Sequence, residues 1–142
     1  MFTTVLVAAD SSATAFRAVT AATDLAKALG ADLHVVTAYD PPSGQADKLP
    51  DEFFDRVTDP ADILLGELRE HIAKQGVEAT YHPAAGDPAD AIVKVADQVG
   101  AELIVVGNRG MKGVRRVLGS VPNSVAHKAN CSVLIVDTVS EG

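Results

Sequence analysis

Short, continuous apolar runs rich in valine and isoleucine recur along the chain and limit the folds that are open to it. Four of them are prominent, at Val5–Ala9, Leu33–Ala38, Leu103–Val106 and Val133–Val136. Unbroken apolar runs of this length are typical of strands buried on both faces, as in a parallel sheet covered by helices. A more polar run, Val77–His82, is better suited to the edge of a sheet. The sequence therefore predicts five strands.

Between these runs, apolar residues recur with helical spacing, so that one face of each segment is apolar. The segments are Phe16–Leu29, Ile63–Ile72 and Ile92–Val99. Glycine comes soon after each of them, at Gly30, Gly76 and Gly100, where it permits the left-handed conformation that closes many helices. Two helices are expected to begin at the Asp-Pro-Ala-Asp sequences of residues 59–62 and 87–90, because aspartate caps free N–H groups and proline fits the first turn.

This alternation predicts one α/β domain over residues 1–142, an open five-stranded parallel sheet with helices on both faces. A chain of 142 residues is long enough to bury one core of this kind. Residues of about 40–59 interrupt the pattern as a long insert after the second strand. Ligands bind at the carboxyl ends of strands in such folds, so the insert is interpreted either as a flap over a site or as a surface loop.

The charge distribution favours a small anionic ligand. The net charge of −7 argues against a general nucleic-acid or anionic-membrane surface, since both need a basic face. Leu103 to Val136 nevertheless contains no acidic residue and five basic ones, at Arg109, Lys112, Arg115, Arg116 and Lys128. An island of positive charge in an acidic chain is typical of a site for an anion.

The cysteine content and the apolar runs predict a cytoplasmic protein. One cysteine, Cys131, cannot form an internal disulfide, which suits a reducing compartment. Its position at the start of a predicted buried strand favours a packing role over a reactive thiol. The amino terminus lacks the basic region of a signal peptide, and no apolar run approaches the ~20 residues that span a bilayer.

The segment from Gly107 to Ser120 carries the strongest functional signal. It follows the fourth strand and contains Gly107, Gly110, Gly113 and Gly119. Glycine lets backbone N–H groups approach phosphate oxygens closely. Ser120 and Val121 stand at a predicted helix start, whose free N–H groups and positive dipole end favour an anion. The segment therefore predicts a phosphate-binding loop.

The position of this loop also predicts the strand order. The segment contains neither a Walker A sequence nor the Gly-x-Gly-x-x-Gly fingerprint, and its glycines follow the fourth strand rather than the first. A ligand in the crevice of such a sheet then requires the fourth strand to lie beside the first, which gives the order 3-2-1-4-5. Asp10, at the end of the first strand, would face the loop and could hold a ribose hydroxyl or a phosphate-bound Mg²⁺.

At these residues the chain resembles the universal stress protein family, in its adenine-nucleotide-binding subgroup. The subgroup's pattern after the fourth strand is Gly-x2-Gly-x9-Gly-Ser/Thr, together with an aspartate at the end of the first strand. Here eight residues, rather than nine, separate Gly110 from Gly119. The resemblance covers essentially the whole chain and implies the fold called adenine-nucleotide alpha-hydrolase-like.

The resemblance implies a ligand, ATP or another adenine nucleotide, bound with Mg²⁺. Asp10 is then expected to contact both ribose and metal. The other implied residues are Ala8, Ala9 and Ala38 around adenine, Val106 and Gly107 beneath the ribose, and Arg109, Gly110, Gly119, Ser120 and Val121 at the phosphates. Family members pair through the last strand, which implies a homodimer through Val133–Asp137 here. Pairing would also cover an apolar sheet edge.

A nucleotide-responsive regulatory module of the stress response is favoured over an enzyme. The four histidines fall on different predicted elements without metal-ligand spacing. Phosphoryl transfer needs a positioned base and several charge-stabilising groups, and Asp10 and Arg109 are the candidates that the sequence offers. A slow Mg²⁺-dependent ATP hydrolase and a protein that prefers cyclic AMP stay open as alternatives.

Overall fold

Strands and helices alternate along the chain. The computed structural model describes residues 2–9, 15–39, 60–108 and 121–137, and for residues 60–62 it describes the backbone alone. In order, the strands and helices are β1 Thr4–Ala8, α1 Ala15–Leu29, β2 Asp32–Tyr39, α2 Pro60–Ala73, β3 Ala79–Ala85, α3 Pro88–Val99, β4 Leu103–Gly107, α4 Val121–Lys128 and β5 Ser132–Val136. The predicted insert at 40–59 lies outside the described residues.

The five strands form one parallel sheet in the order β3-β2-β1-β4-β5, which confirms the predicted order 3-2-1-4-5. The edge position of β3 is also confirmed. Its predicted extent, Val77–His82, is wrong, because the strand runs from Ala79 to Ala85 and pairs with β2 along that length. Pro83 lies within it and has no N–H to donate, which an edge strand tolerates.

Side chains alternate between the two faces of the sheet and build a core on each. Val5, Val7, Leu33 and Val35 face α1 and α2, and Leu68 of α2 is fully buried against this side. Leu6, Val36, Ile104 and Val106 face the opposite layer, together with buried side chains of α3 and with Val125 of α4. Both faces of the central strands are therefore covered, as their unbroken apolar runs predict.

The last strand departs from that prediction. Leu134 and Ile135 of β5 are 41% and 37% exposed, although the run Val133–Val136 reads as a strand buried on both faces. The physical reason is that, among the described strands, β5 is the other edge of the sheet and has one neighbour, β4. An apolar edge strand in this state is a surface for pairing.

The predicted helix ends agree with the backbone. Gly30, Gly76 and Gly100 have φ values of 65°, 77° and 70°, in the left-handed region. Asp87 caps α3, since its carboxylate accepts a hydrogen bond from the backbone N of Asp90 at 3.2 Å. The matching cap expected at residue 59 lies outside the described residues.

Gly100, at the end of α3, and Gly66, within α2, are expected to change the free energy of unfolding in opposite directions when replaced by alanine. Gly100→Ala is expected to lower the free energy of unfolding by about 1 to 2 kcal/mol, because alanine at positive φ is strained. Gly66 is exposed to solvent in the middle of α2, and nothing lies within 4 Å of an added methyl group. Gly66→Ala is therefore expected to raise the free energy of unfolding by about 0.5 to 1 kcal/mol, because alanine favours the helix. Urea denaturation of both variants measures the two signs, and a gain in stability from Gly100→Ala would contradict the cap assignment.

Cys131 directly precedes β5 and is half-buried against the α3 and α4 side of the sheet. Burial, and then the negative charge of Asp97, raise the pKa of its thiol. A raised pKa means less thiolate at a given pH, so we expect alkylation at pH 8 to be slower in the folded protein than after unfolding in urea. The rate should rise with pH along a curve displaced to higher pH in the folded state. Equal rates in both states would show that the thiol is exposed and unperturbed.

Candidate functional site

The site is expected where β1 and β4 lie side by side. The chain proceeds from β1 outward through β2 to β3 on one side, and β4 returns to the other side of β1. Val5, Leu6 and Val7 pair with Leu103, Ile104 and Val105. α1, which follows β1, and α4, which follows β4, pack on opposite faces of the sheet, and in folds of this kind ligands bind at the carboxyl ends of two such strands.

Small residues occupy the strand ends around this crevice. Ala8 ends β1, Gly107 ends β4, and Ala38 is the penultimate residue of β2. Ala9 extends the ladder by one residue, since its N–H donates to the carbonyl oxygen of Val36 at 3.0 Å. Each of these residues carries at most one methyl group. Ala9 is 6% exposed and packs in the core on the α1 side, whereas Ala8, Ala38 and Gly107 are half-buried.

The structure describes six of the predicted site residues and brings five of them together at the carboxyl ends of neighbouring strands. Ala8, Ala9, Ala38, Val106 and Gly107 stand at the carboxyl ends of β1, β2 and β4. The sixth, Val121, is the first residue of α4. Five others, Asp10, Arg109, Gly110, Gly119 and Ser120, lie outside the described residues.

Asn108, which sequence analysis did not single out, fixes the start of the glycine-rich segment to β5. Its backbone N donates to the carbonyl oxygen of Val136 at 2.9 Å, and its side-chain Nδ2 donates to Oδ1 of Asp137 at 3.1 Å. The chain therefore leaves β4 toward the segment from an anchored point. The partners are separated by 29 positions in sequence, so a single sequence contains no local signal for the contact.

Thr37 is a second residue that sequence analysis missed. It is 3% exposed on β2, and its hydroxyl oxygen has no hydrogen-bond partner among the residues that the structure describes. The register places it beside Ala9, because Ala8 is paired with Val36 in the preceding row. Buried hydroxyl groups normally have a partner, since leaving one unpaired costs about 1 to 3 kcal/mol. This hydroxyl thus lies next to Ala9, one of the residues that the resemblance implies around adenine.

The histidines are less scattered than their positions in sequence suggest. His34 of β2 and His82 of β3 lie together, with 2.9 Å between Nδ1 of the first and Nε2 of the second. Burial, and then the neighbouring His34, lower the pKa of His82, which favours its neutral form at pH 7. His71 instead links α2 to α1, through a 2.7 Å contact between its Nε2 and the hydroxyl of Thr20.

Comparison with known proteins agrees with the resemblance in the sequence. The model of the universal stress protein family matches residues 1–137. Universal stress protein Rv1636 of Mycobacterium tuberculosis is 39% identical over 144 residues, which cover 96% of this chain and 97% of that protein.

Solved structures show the same likeness in three dimensions. A universal stress protein in complex with cAMP superimposes with a TM-score of 0.81 at 39% identity, over 96% of this chain and 98% of that one. The universal stress protein from Archaeoglobus fulgidus in complex with dAMP superimposes with a TM-score of 0.69 at 27% identity, over 96% and 98% of the two chains. Both of those proteins hold an adenine nucleotide.

Proposed function

Because the chain belongs to the universal stress protein family, we propose that it binds an adenine nucleotide, with ATP as the cellular ligand, at the carboxyl ends of β1 and β4. The observation that carries the proposal is the meeting of Ala8, Ala9 and Gly107 at the point where the strand order reverses. The related structures with cAMP and dAMP support the class of ligand.

In this proposal, the small strand ends form the base and ribose half of the site. Adenine lies against Ala8, Ala9 and Ala38, and the ribose lies over Val106 and Gly107. Small side chains suit a flat aromatic ring, because the ring can then approach the backbone N–H and C=O groups at the ends of β1 and β2.

The phosphate half depends on the glycine-rich segment. Backbone N–H groups near Gly110 and Gly119, the hydroxyl of Ser120 and the first turn of α4 at Val121 bind phosphate oxygens, and Arg109 adds positive charge. Pro122, the second residue of α4, suits this helix start because it removes an N–H that no helical carbonyl would satisfy. The anchoring of Asn108 holds the beginning of the segment close to β5.

Mg²⁺ would be held by the carboxylate of Asp10 together with phosphate oxygens of the ligand. This ion prefers one or two carboxylates and keeps several of its waters, so one carboxylate opposite the phosphates suits it. When bound, it would neutralise phosphate charge and help to fix the triphosphate in place.

We propose a regulatory role in the cytoplasm, in which nucleotide binding changes the state of the protein without rapid turnover. Mass spectrometry of the ligand released from purified protein tests the binding directly, and ATP or another intact adenine nucleotide is the expected result. Incubation of that complex with Mg²⁺ for hours then tests turnover. Rapid hydrolysis that is abolished by Asp10→Asn would favour the alternative, a Mg²⁺-dependent hydrolase.

Cyclic AMP is a second candidate ligand, favoured by the related structure with cAMP at 39% identity. Competition between ATP and cAMP for the same protein distinguishes the two. A site that depends on a triphosphate and Mg²⁺ should prefer ATP, and should lose that preference when Mg²⁺ is removed by a chelator. Tighter binding of cAMP, unaffected by the chelator, would assign the site to the cyclic nucleotide.

We further propose that two copies pair through β5, over Val133–Asp137. The exposed apolar side chains of Leu134 and Ile135 on an edge strand support this arrangement. Leu134→Lys is expected to shift the protein from dimer to monomer in sedimentation experiments. Ile63→Lys places the same charge on α2, at a side chain that is 50% exposed, and is expected to leave the dimer intact. The assignment of the interface to β5 would be contradicted if Leu134→Lys and Ile63→Lys were both monomeric, or if both were dimeric.

A further inference from the structure

We propose that His34 and His82 form a binding site for a divalent transition-metal ion, with Cu²⁺ expected to bind most tightly. The two imidazoles stand on neighbouring strands, β2 and β3, on the same face of the sheet. The register pairs His82 with Val36, so these two side chains are on the same face of the sheet. His34 is two residues before Val36 on β2, and alternate residues of a strand share a face, so His34 is on that face too. The proposal does not depend on nucleotide binding.

The distance between the rings is the first observation that supports the site. Nδ1 of His34 and Nε2 of His82 are 2.9 Å apart, and the ring centroids are 5.1 Å apart with an interplanar angle of 25°. Without metal, one ring nitrogen donates its hydrogen to the lone pair of the other. Both strands are held by ladder hydrogen bonds, so the sheet brings the two nitrogens together before any ion arrives.

The separation is compatible with one ion bound to both nitrogens. With metal–nitrogen bonds of about 2.0 to 2.1 Å, two nitrogens 2.9 Å apart subtend an angle of about 90° at the ion, as adjacent ligands do in square-planar and octahedral complexes. The rings turn when the ion binds, so this distance does not by itself select the metal. Cu²⁺ is the probe of choice because it binds nitrogen ligands more tightly than the other divalent first-row metals.

Metal binding requires two changes at the pair. The ring that donates this hydrogen must change tautomer, releasing the hydrogen from the facing nitrogen and taking one up from solvent at its other nitrogen, since a ligating nitrogen offers its lone pair. Both rings must also turn about their Cβ–Cγ bonds, so that the two lone pairs are directed at a common point rather than at each other.

Both imidazoles are half-buried, so part of each ring is in contact with solvent, and β3 lies at the edge of the described sheet. Among residues 2–9, 15–39, 60–108 and 121–137, no group of three or more His, Cys, Asp or Glu side chains could hold a metal. The described part of the chain would thus supply two imidazoles, and water would complete the coordination.

Copper titration of the full chain, after treatment with a chelator, tests the site. One Cu²⁺ is expected to bind, with an electron paramagnetic resonance spectrum that shows coupling to two imidazole nitrogens. His34→Gln and His82→Gln should each weaken binding by at least about tenfold and remove the two-nitrogen pattern. His127→Gln, a change of the same type in α4, should leave affinity and spectrum as in the unmodified chain.

Two independent variants keep the test informative if one of them folds poorly, which circular dichroism will show. The proposal is overturned if Cu²⁺ binds a folded His34→Gln or His82→Gln protein with unchanged affinity. It is equally overturned if the unmodified chain shows coupling to one nitrogen or to none.

Discussion

Ile104→Ala is expected to lower the free energy of unfolding by about 3 to 5 kcal/mol. Ile104 is fully buried on β4, between Leu6 of β1 and Val133 of β5 in the paired register, and Val125 of α4 packs in the same cluster. Strands on both sides and helices above hold this position, so neighbouring groups cannot collapse into the space left by the missing methyl and methylene groups. The lost apolar contact and the remaining cavity both add to the cost.

Urea denaturation followed by circular dichroism measures this loss. Ile63→Ala is the matched control, because the same residue type is removed from a side chain that is 50% exposed on α2, away from the proposed dimer interface. We expect the control to cost less than about 1 kcal/mol, since little apolar contact is lost there. Similar losses in the two variants would mean that the layer of α3 and α4 does not pack on β4 as described.

Ser120→Ala is expected to weaken binding of the adenine nucleotide by about tenfold to hundredfold, because hydrogen bonds to a charged group are worth about 1.5 to 3 kcal/mol. Ser120 immediately precedes α4 and, in the proposed site, donates to a phosphate oxygen. Calorimetric titration measures the affinity. Ser124→Ala, four residues further along in α4, removes the same group from within the helix and should leave binding unchanged.

Ser120→Ala also removes a candidate helix cap, which by itself costs about 1 kcal/mol of stability. Gly110→Ala separates the two effects, because it places a methyl group in the glycine-rich segment without altering the start of α4. We expect it to weaken binding and leave the unfolding transition in place. If both variants bind nucleotide like the unmodified chain, the assignment of the phosphates to this segment is wrong.

The sheet order follows from sequence because one functional requirement fixes it. A phosphate-binding segment that begins at Gly107 needs β4 next to β1, and the observed pairing of Leu6 with Ile104 confirms that neighbour. Helix ends follow from local chemistry, since a glycine such as Gly100 and a cap such as Asp87 act within a few residues of themselves. Features of this kind depend on short stretches of chain and can be predicted from them.

Other features depend on contacts between distant residues and could not be predicted. His34 and His82 are 48 positions apart, and their contact exists because the register of β2 and β3 aligns them. The exposure of Leu134 follows from the place of β5 in the sheet, since its apolar sequence alone resembles that of a central strand. Periodicity identifies a strand, but the tertiary arrangement decides how much of it is covered.

The candidate site shows the same division. The resemblance to the family implies Ala8, Ala9, Ala38 and Gly107 as site residues, and the structure places them at neighbouring strand ends. Their contact with a ligand stays a prediction. The unpaired hydroxyl of Thr37 could not be predicted, since the sequence contains no information on which buried groups lack a partner.

The most direct test of nucleotide binding at the crevice is nuclear magnetic resonance of backbone amides during titration with ATP and Mg²⁺. The largest shifts are predicted at Ala9, Ala38, Gly107 and Asn108, at the carboxyl ends of the strands, and at Val121, where α4 begins. Amides at the opposite edge, where the strands begin at Thr4, Asp32 and Leu103, should change little. Shifts confined to that opposite edge, or none at saturating ligand, would contradict the proposed site.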